Sequence, residues 1–231
     1  VTAPILFAAD VTPLQDTGLY QLAYAAASPS RREKVDRFRF EKDKRLSLGA
    51  EALLRHALRS MGYSPGCTDF TYGPQNKPYL KNGSGYFNLS HAGIWAICAV
   101  AGCEIGCDVE QLAPIDLKLA EQFHPEECAD IYRQPTEDLQ LDLFYRTWTL
   151  KESFMKATGL GMTLPLNAFR ILCGKTVSVI HAVDTVDYRF REFSDLPGYS
   201  CALCCAGSCT GAQLCILDMK ELLLPEYASC R

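Results

Sequence analysis

Four side chains in two short stretches have the types and spacing for metal and phosphate chemistry. The segment I-G-C-D-V-E, Ile105 to Glu110, alternates Asp108 and Glu110 with Cys107 and Val109. In an extended strand that period puts both carboxylates on one face and Val109 on the other. In W-T-L-K-E-S-F-M-K, Trp148 to Lys156, Glu152 and Lys156 stand four residues apart, so a helix would place them on one face with Trp148. Three carboxylates and a lysine on two rigid elements are enough to hold a hard cation and a phosphate group. Oxygen-rich sites with open positions suit Mg²⁺, which completes its shell with water and substrate phosphate.

Each feature also has a plainer reading. A D-x-E pair is more often a solvent-facing strand edge, and an E-x-x-x-K pair is often a surface ion pair worth a few tenths of a kcal/mol. Here the D-x-E lies between apolar runs and Trp148 accompanies the helix pair, which favours a cleft. Lys151 falls on a different helix face, where it would stabilise or touch phosphate. Ser90 and His91 are adjacent on an expected strand and point to opposite faces. They are therefore read as two separate ligand contacts, not as a nucleophile and its base.

The elements that must position these groups follow from periodicity. Ile5 to Ala9 is a short apolar strand, and a helix is expected over Leu14 to Ala27. Ser28-Pro29 looks like the cap and first position of another helix. The basic stretch S-P-S-R-R-E-K-V-D-R-F reads by itself as a solvated face. From Glu41, Leu46, Ala50, Leu53, Leu54, Ala57, Leu58 and Met61 follow the helical period up to Gly62. Arg45 and Arg55 sit beside that stripe and are open to an anion or to solvent. Later elements are an apolar strand at 94–100, a short helix at 117–123, a helix from Leu141 to Thr158, and strands near 169–173, 177–182, 188–193 and 199–206. The runs Gly93 to Gly102 and Gly198 to Gly207 look like equivalent closing strands. The fold class expected is therefore α+β, as a pair of similar halves spanning 1–102 and 103–231, the second carrying the carboxylates.

Composition narrows the function. A net charge of −4 argues against a nucleic-acid binder. No apolar run reaches the roughly 18–20 residues needed to span a bilayer, and there is no basic segment leading into an apolar secretory core. Twelve cysteines are many, but most lie in apolar strand-like runs where cysteine acts as a small hydrophobe. Cys201 and Cys204 form a C-x-x-C, alongside Cys205 and Cys209, with no second such pair to complete a zinc site. Reduced core thiols in a reducing cytoplasm are expected.

These stretches resemble a known family. G-C-D-V-E at 106–110 and W-T-L-K-E-S-F-M-K-A-T-G-L-G at 148–161 closely resemble the two signature motifs of 4′-phosphopantetheinyl transferases, in the same order and about forty residues apart. The likeness is to the monomeric surfactin-synthetase-activating type. It extends to S-P-S-R-R-E-K-V-D-R-F with R-L-S-L-G-A-E-A-L-L-R, to N-K-P at 76–78 and to F-N-L-S-H-A-G at 87–93, covering roughly Ile5 to Ala206.

The resemblance implies a pseudo-twofold pair of α+β subdomains with coenzyme A bound between them. The implied activity moves 4′-phosphopantetheine from coenzyme A to a serine of an acyl or peptidyl carrier protein, releasing adenosine 3′,5′-bisphosphate. Asp108, Glu110 and Glu152 would hold Mg²⁺, and Lys156 would contact the transferred phosphate. Glu152 is the implied general base, with a water on the cation as the alternative. Arg31, Lys34, Arg45, Lys77, Ser90 and His91 match positions that hold the adenine, the 3′-phosphate or the pyrophosphate. Arg31 stands where close members carry lysine, which keeps the charge and changes the geometry. Glu127 resembles a further acidic position. The segment 112–123 resembles the carrier-contacting region and offers Leu117, Leu119 and Phe123. Two other readings fit the same residues: a Mg²⁺-dependent pyrophosphate-cleaving hydrolase, and a coenzyme A-binding protein without catalysis.

Overall fold

The computed structural model describes residues 3–63, 69–81, 83 and 85–224. In chain order the elements are β1 (Ile5–Asp10), α1 (Thr17–Ala26), α2 (Pro29–Arg37), α3 (Glu41–Ser60), β2 (Phe70–Tyr72), β3 (Pro78–Leu80), β4 (Tyr86–Ala92), β5 (Trp95–Ala101) and β6 (Ile105–Gln111). The second half continues with α4 (Pro125–Tyr132), α5 (Glu137–Thr158), β7 (Arg170–Cys173), β8 (Val177–Ile180), β9 (Tyr188–Glu192), β10 (Tyr199–Ala206), β11 (Gln213–Ile216) and α6 (Met219–Leu223).

Local chemistry sets the helix ends. Ser28 caps α2 by accepting from Arg31 N, with Pro29 at the first position where no N–H is needed. Thr136 caps α5 by accepting from Leu139 N, so that helix begins one turn before its apolar stripe. Gly62 takes φ +87° just beyond α3, where Tyr63 N donates back to Leu58 O.

The two halves repeat one topology. Strands run β1-β5-β4 in one sheet and β6-β10-β9 in the other, all antiparallel, each with a small separate hairpin (β2–β3 and β7–β8). α3 packs on the outer face of the first sheet, and α5 covers β6 and β10 of the second. The inner faces meet in a third core where Leu6, Ile97 and Ala99 face Cys107, Val109 and Leu203. Strands buried on both faces need small apolar side chains throughout. That explains the cysteine- and alanine-rich runs of β5 and β10. The mixed helix-and-sheet architecture is the α+β class expected.

One boundary differs from expectation. β11 pairs in parallel with β1, and Met219 of α6 is buried in the core of the first half. Residues 213–223 therefore return to the first half instead of belonging with 103–231. Periodicity could not show this, because a strand of four residues carries no signal about its partner.

Lys77 ties the halves together. It is 7% exposed, and its Nζ donates to Glu104 Oε2 at 2.6 Å, Ile105 O at 3.3 Å and Ala157 O at 2.8 Å. Burial lowers its pKa, and the Glu104 carboxylate opposes that shift. Lys77→Met is expected to destabilise the fold by about 3 kcal/mol, since one ion-pair partner and two carbonyls lose their donor. Denaturant unfolding measures this directly, and a loss within ~0.5 kcal/mol, the scatter of ordinary surface substitutions, would overturn the strut.

Candidate active site

β6 and α5 bring the acidic residues together. Asp108 and Glu110 sit on the β6 face that α5 covers, opposite Ala202 and Ser200 of β10. Cys107 and Val109 point the other way, into the core between the sheets. Gly106 permits this approach. A Cβ there would lie 2.0 Å from Ser153 O and 2.4 Å from Ala157 N, both backbone atoms of α5. Only a residue without a side chain lets the helix seat this closely. The strand pattern alone gives no sign of that role.

Lys156 bridges into the cluster. Its Nζ donates to Asp108 Oδ1 at 2.6 Å and to Ser90 Oγ at 3.0 Å, and Ser90 Oγ donates to the same Asp108 oxygen at 2.8 Å. Burial by itself would lower the lysine's pKa, but the charge of Asp108 leads the opposing effects and the net shift is upward. Lys156 stays an ammonium. Asp108 is 2% exposed, and its Oδ2 is buried without a hydrogen bond. Glu110 is pushed up to about 7, first by desolvation and then by the Asp108 charge. Lys156 and the Trp148 indole N–H partly relieve it. Glu152 is likewise raised, chiefly by burial and further by Asp108, against the pull of Lys156.

Three carboxylates thus crowd around a single ammonium, with one buried oxygen unpartnered. The donor set is all oxygen and is short of positive charge. Its chemistry suits a hard divalent cation, while among the described residues no three of these side chains are drawn together as a formed metal site.

β4 joins this cluster to a basic cleft. Asn88 and Ser90 face β6, where Asn88 Oδ1 accepts from Cys107 N at 2.9 Å. Phe87 and Leu89 on the other face line a cleft of about 330 Å³ with Arg31 and Lys34. Arg31 is oriented by Glu51 at 3.1 Å and Ser47 at 3.2 Å, using two of its five N–H groups. Burial, and secondly the Arg31 charge, lowers the Lys34 pKa. His91 follows two residues after Leu89 on β4 and is exposed. Desolvation lowers its pKa, and Lys156, Lys34 and Arg31 add in the same direction. All three groups are therefore positioned to gain from an arriving anion.

Other expected contacts lie elsewhere. Lys77 is committed to the inter-half strut and is not presented to this cleft. Arg45, half-buried near the start of α3, does not line the cleft, and its charge bears on Tyr20. Arg55 donates to Ala26 O. Lys151 does not reach a phosphate site. It is fully buried, bonded to Glu127 at 2.7 Å and to Leu166 O and Phe169 O. Glu127 is saturated by that pair and by the N–H groups of His124 and Ile171, so it stands apart from the acidic trio. Phe123, expected at the surface, is 1% exposed and stacks on Phe144; Leu119 remains outside. A lysine and a glutamate 24 positions apart give no sequence sign that they will pair.

Carboxylates and a lysine beside a basic cleft have the chemistry to take an anion, and comparison with known proteins specifies the family. Residues 104–204 match the 4′-phosphopantetheinyl transferase superfamily, and residues 12–103 match the 4′-phosphopantetheinyl transferase N-terminal family. The chain is 32% identical over 204 residues to 4′-phosphopantetheinyl transferase Sfp of Bacillus subtilis, covering 85% of this chain and 89% of that one. It is 30% identical over 210 residues to the gsp transferase of Aneurinibacillus migulanus, covering 90% and 88%. The human L-aminoadipate-semialdehyde dehydrogenase-phosphopantetheinyl transferase is 29% identical over 161 residues, covering 63% and 52%. The chain belongs to the 4′-phosphopantetheinyl transferase superfamily, and within it to the Sfp type. Among the described residues no helix is long and apolar enough to cross a membrane.

Proposed function

We infer that this protein transfers the 4′-phosphopantetheine group of coenzyme A to a serine of an acyl or peptidyl carrier protein, leaving adenosine 3′,5′-bisphosphate. The observation that carries the reading is the junction at β4, with an acidic trio and Lys156 on one face and the Arg31–Lys34 cleft on the other. One extended anion with a pyrophosphate and a separate phosphomonoester matches that division.

In this reading Arg31, Lys34 and His91 hold the 3′-phosphate end. Ser90, on the β4 face beside Lys156, orients the pyrophosphate. Asp108, Glu110 and Glu152 would hold a Mg²⁺, which when bound neutralises charge on the pyrophosphate. Lys156, pre-aimed by Asp108 and Ser90, donates to the phosphoryl oxygen whose charge grows in the transition state. Glu152 accepts the proton of the attacking serine, since burial and then Asp108 raise its basicity against the pull of Lys156. The ten described cysteines are all free, which supports a reducing cytoplasm.

The decisive experiment is the mass of a carrier protein after incubation with coenzyme A and Mg²⁺. A gain of one phosphopantetheine is expected. Free phosphopantetheine with an unmodified carrier would mean hydrolysis instead, and no turnover would mean binding alone.

The basic cleft has its own test. Lys34→Ala is expected to weaken coenzyme A by roughly 10- to 100-fold, the worth of a hydrogen bond to a charged group. Dephospho-coenzyme A, which lacks the 3′-phosphate, should be nearly unaffected. Equal losses for the two ligands would place Lys34 elsewhere.

A further inference from the structure

One carboxylate is set into the wall of the basic cleft. Glu51 of α3 lines it beside Arg31 and Lys34 of α2 and is 9% exposed. A negative charge there repels an arriving anion, so its presence calls for another role. Both of its oxygens are engaged. Oε1 accepts from Ser28 N at 3.2 Å, and Oε2 accepts from Arg31 Nε at 3.1 Å. Ser28 Oγ in turn accepts from Arg31 N at 3.3 Å. A single side chain of α3 thus fastens the first turn of α2 and the guanidinium which that turn carries.

A second hold comes from Ser47, one helical turn before Glu51. Its Oγ accepts from Arg31 Nη1 at 3.2 Å, and the residue is 1% exposed. Nε and Nη1 are therefore gripped from the α3 side. Three N–H groups of the planar fork remain, enough for a two-pronged bond to phosphate. Lys34 is held differently, with its ammonium 5.9 Å above the Phe38 ring on a flexible stem. The cleft thus carries one mobile point charge and one cation whose direction its neighbours fix. Ordering a long side chain costs rotamer freedom, and fixing Arg31 before the ligand arrives removes that cost from binding.

We propose that Glu51, with Ser47, is a positioning residue: it sets the Arg31 guanidinium for a phosphomonoester and so makes this chain distinguish coenzyme A from its dephospho form. The inference rests on the reading that the 3′-phosphate end of coenzyme A occupies this cleft. A plainer role for Glu51 is an ion pair that seats α2 on α3 and has no bearing on the phosphate. The two roles part once Arg31 is absent. A carboxylate that acts through Arg31 becomes, without it, an unpaired negative charge facing the dianion, and its removal then helps binding.

The test compares dissociation constants of coenzyme A and dephospho-coenzyme A, by calorimetry on the full chain, with KM and kcat for carrier modification. Glu51→Gln keeps the size of the side chain but offers one acceptor oxygen to two donors. It is expected to weaken coenzyme A roughly 10-fold, seen as a higher KM with little change in kcat, and to leave dephospho-coenzyme A nearly unchanged. Ser47→Ala keeps both Glu51 bonds, and so the seat of α2, and should act in the same direction by roughly 3-fold. In an Arg31→Ala protein, Glu51→Gln should tighten coenzyme A. Equal losses of both ligands in Glu51→Gln and Ser47→Ala, tighter coenzyme A in Glu51→Gln alone, or a further loss on top of Arg31→Ala would overturn the proposal. An Arg31→Ala protein that weakens the two ligands equally, or neither, would instead remove the 3′-phosphate from this cleft, and with it the reading on which the inference rests. Selective weakening by Arg31→Ala, with no effect of Glu51→Gln or Ser47→Ala, would sink the inference and leave that reading standing.

Discussion

Asp108→Ala is expected to reduce carrier modification by about 10²- to 10³-fold, the usual consequence of removing one preorganised charge-stabilising group. The substitution strips Lys156 of its 2.6 Å partner and takes one carboxylate from the trio. Stability without a divalent cation should survive. Asp108 Oδ2 has no hydrogen bond to lose, and the charge that helps to raise Glu110 and Glu152 disappears. Relief of that repulsion offsets the loss of the pair with Lys156, so unfolding should stay within about 1 kcal/mol of the parent protein. A second readout separates metal binding from chemistry. Mg²⁺ should raise the Tm of the parent protein, because a ligand that binds only the folded state stabilises it by mass action, and should not raise that of the variant. Near-normal turnover at saturating Mg²⁺, or an unchanged Mg²⁺-dependent shift in Tm, would remove Asp108 from the site.

Gly106→Ala is the second large effect expected, and it acts through packing alone. The new methyl would sit 2.0 Å from Ser153 O and 2.4 Å from Ala157 N. These are backbone atoms of a helix and cannot rotate aside. α5 must therefore lift from β6, at a cost of about 1–3 kcal/mol or more. The same displacement separates Glu152 and Lys156 from Asp108 and Glu110. A shift of about 1 Å in a catalytic constellation costs on the order of 10²-fold in rate. Gly174→Ala serves as the control, since its added methyl would meet only Thr176 O at an ordinary 3.5 Å. A Gly106→Ala protein with parental Tm and activity would show that the helix seats otherwise.

The two substitutions probe the site from opposite directions. One removes charge and spares the fold; the other removes no functional group and disturbs the geometry that makes charges cooperate. Only the second should lower Tm in the absence of Mg²⁺.

The sequence by itself determined the parts of this protein that depend on local periodicity. Side chains alternate along a strand and recur every 3.6 residues on a helix because backbone geometry requires it. That was enough to put Asp108 and Glu110 on one face, Glu152 with Lys156 on another, and to mark the chain as α+β. Motif order and spacing were enough to indicate the family.

What connects distant segments was decided only by the tertiary structure. Ser90 meets Lys156 across 66 positions, and Lys77 reaches Ala157 O across 80. The lysine at 77, expected at the coenzyme, became a buried strut between the halves. Lys151 and Glu127 became an internal pair, and the strand at 213–216 crossed back to β1. The C-x-x-C visible in the chain was divided between two cores, Cys201 between the sheets and Cys204 under α5. The physical reason is common to all of these. A buried donor, acceptor or thiol takes whichever partner close packing brings within about 3–4 Å, and packing is a property of surfaces assembled from many segments. A strand's or helix's own sequence fixes which face a side chain occupies, and the partner across that face is set by the rest of the molecule.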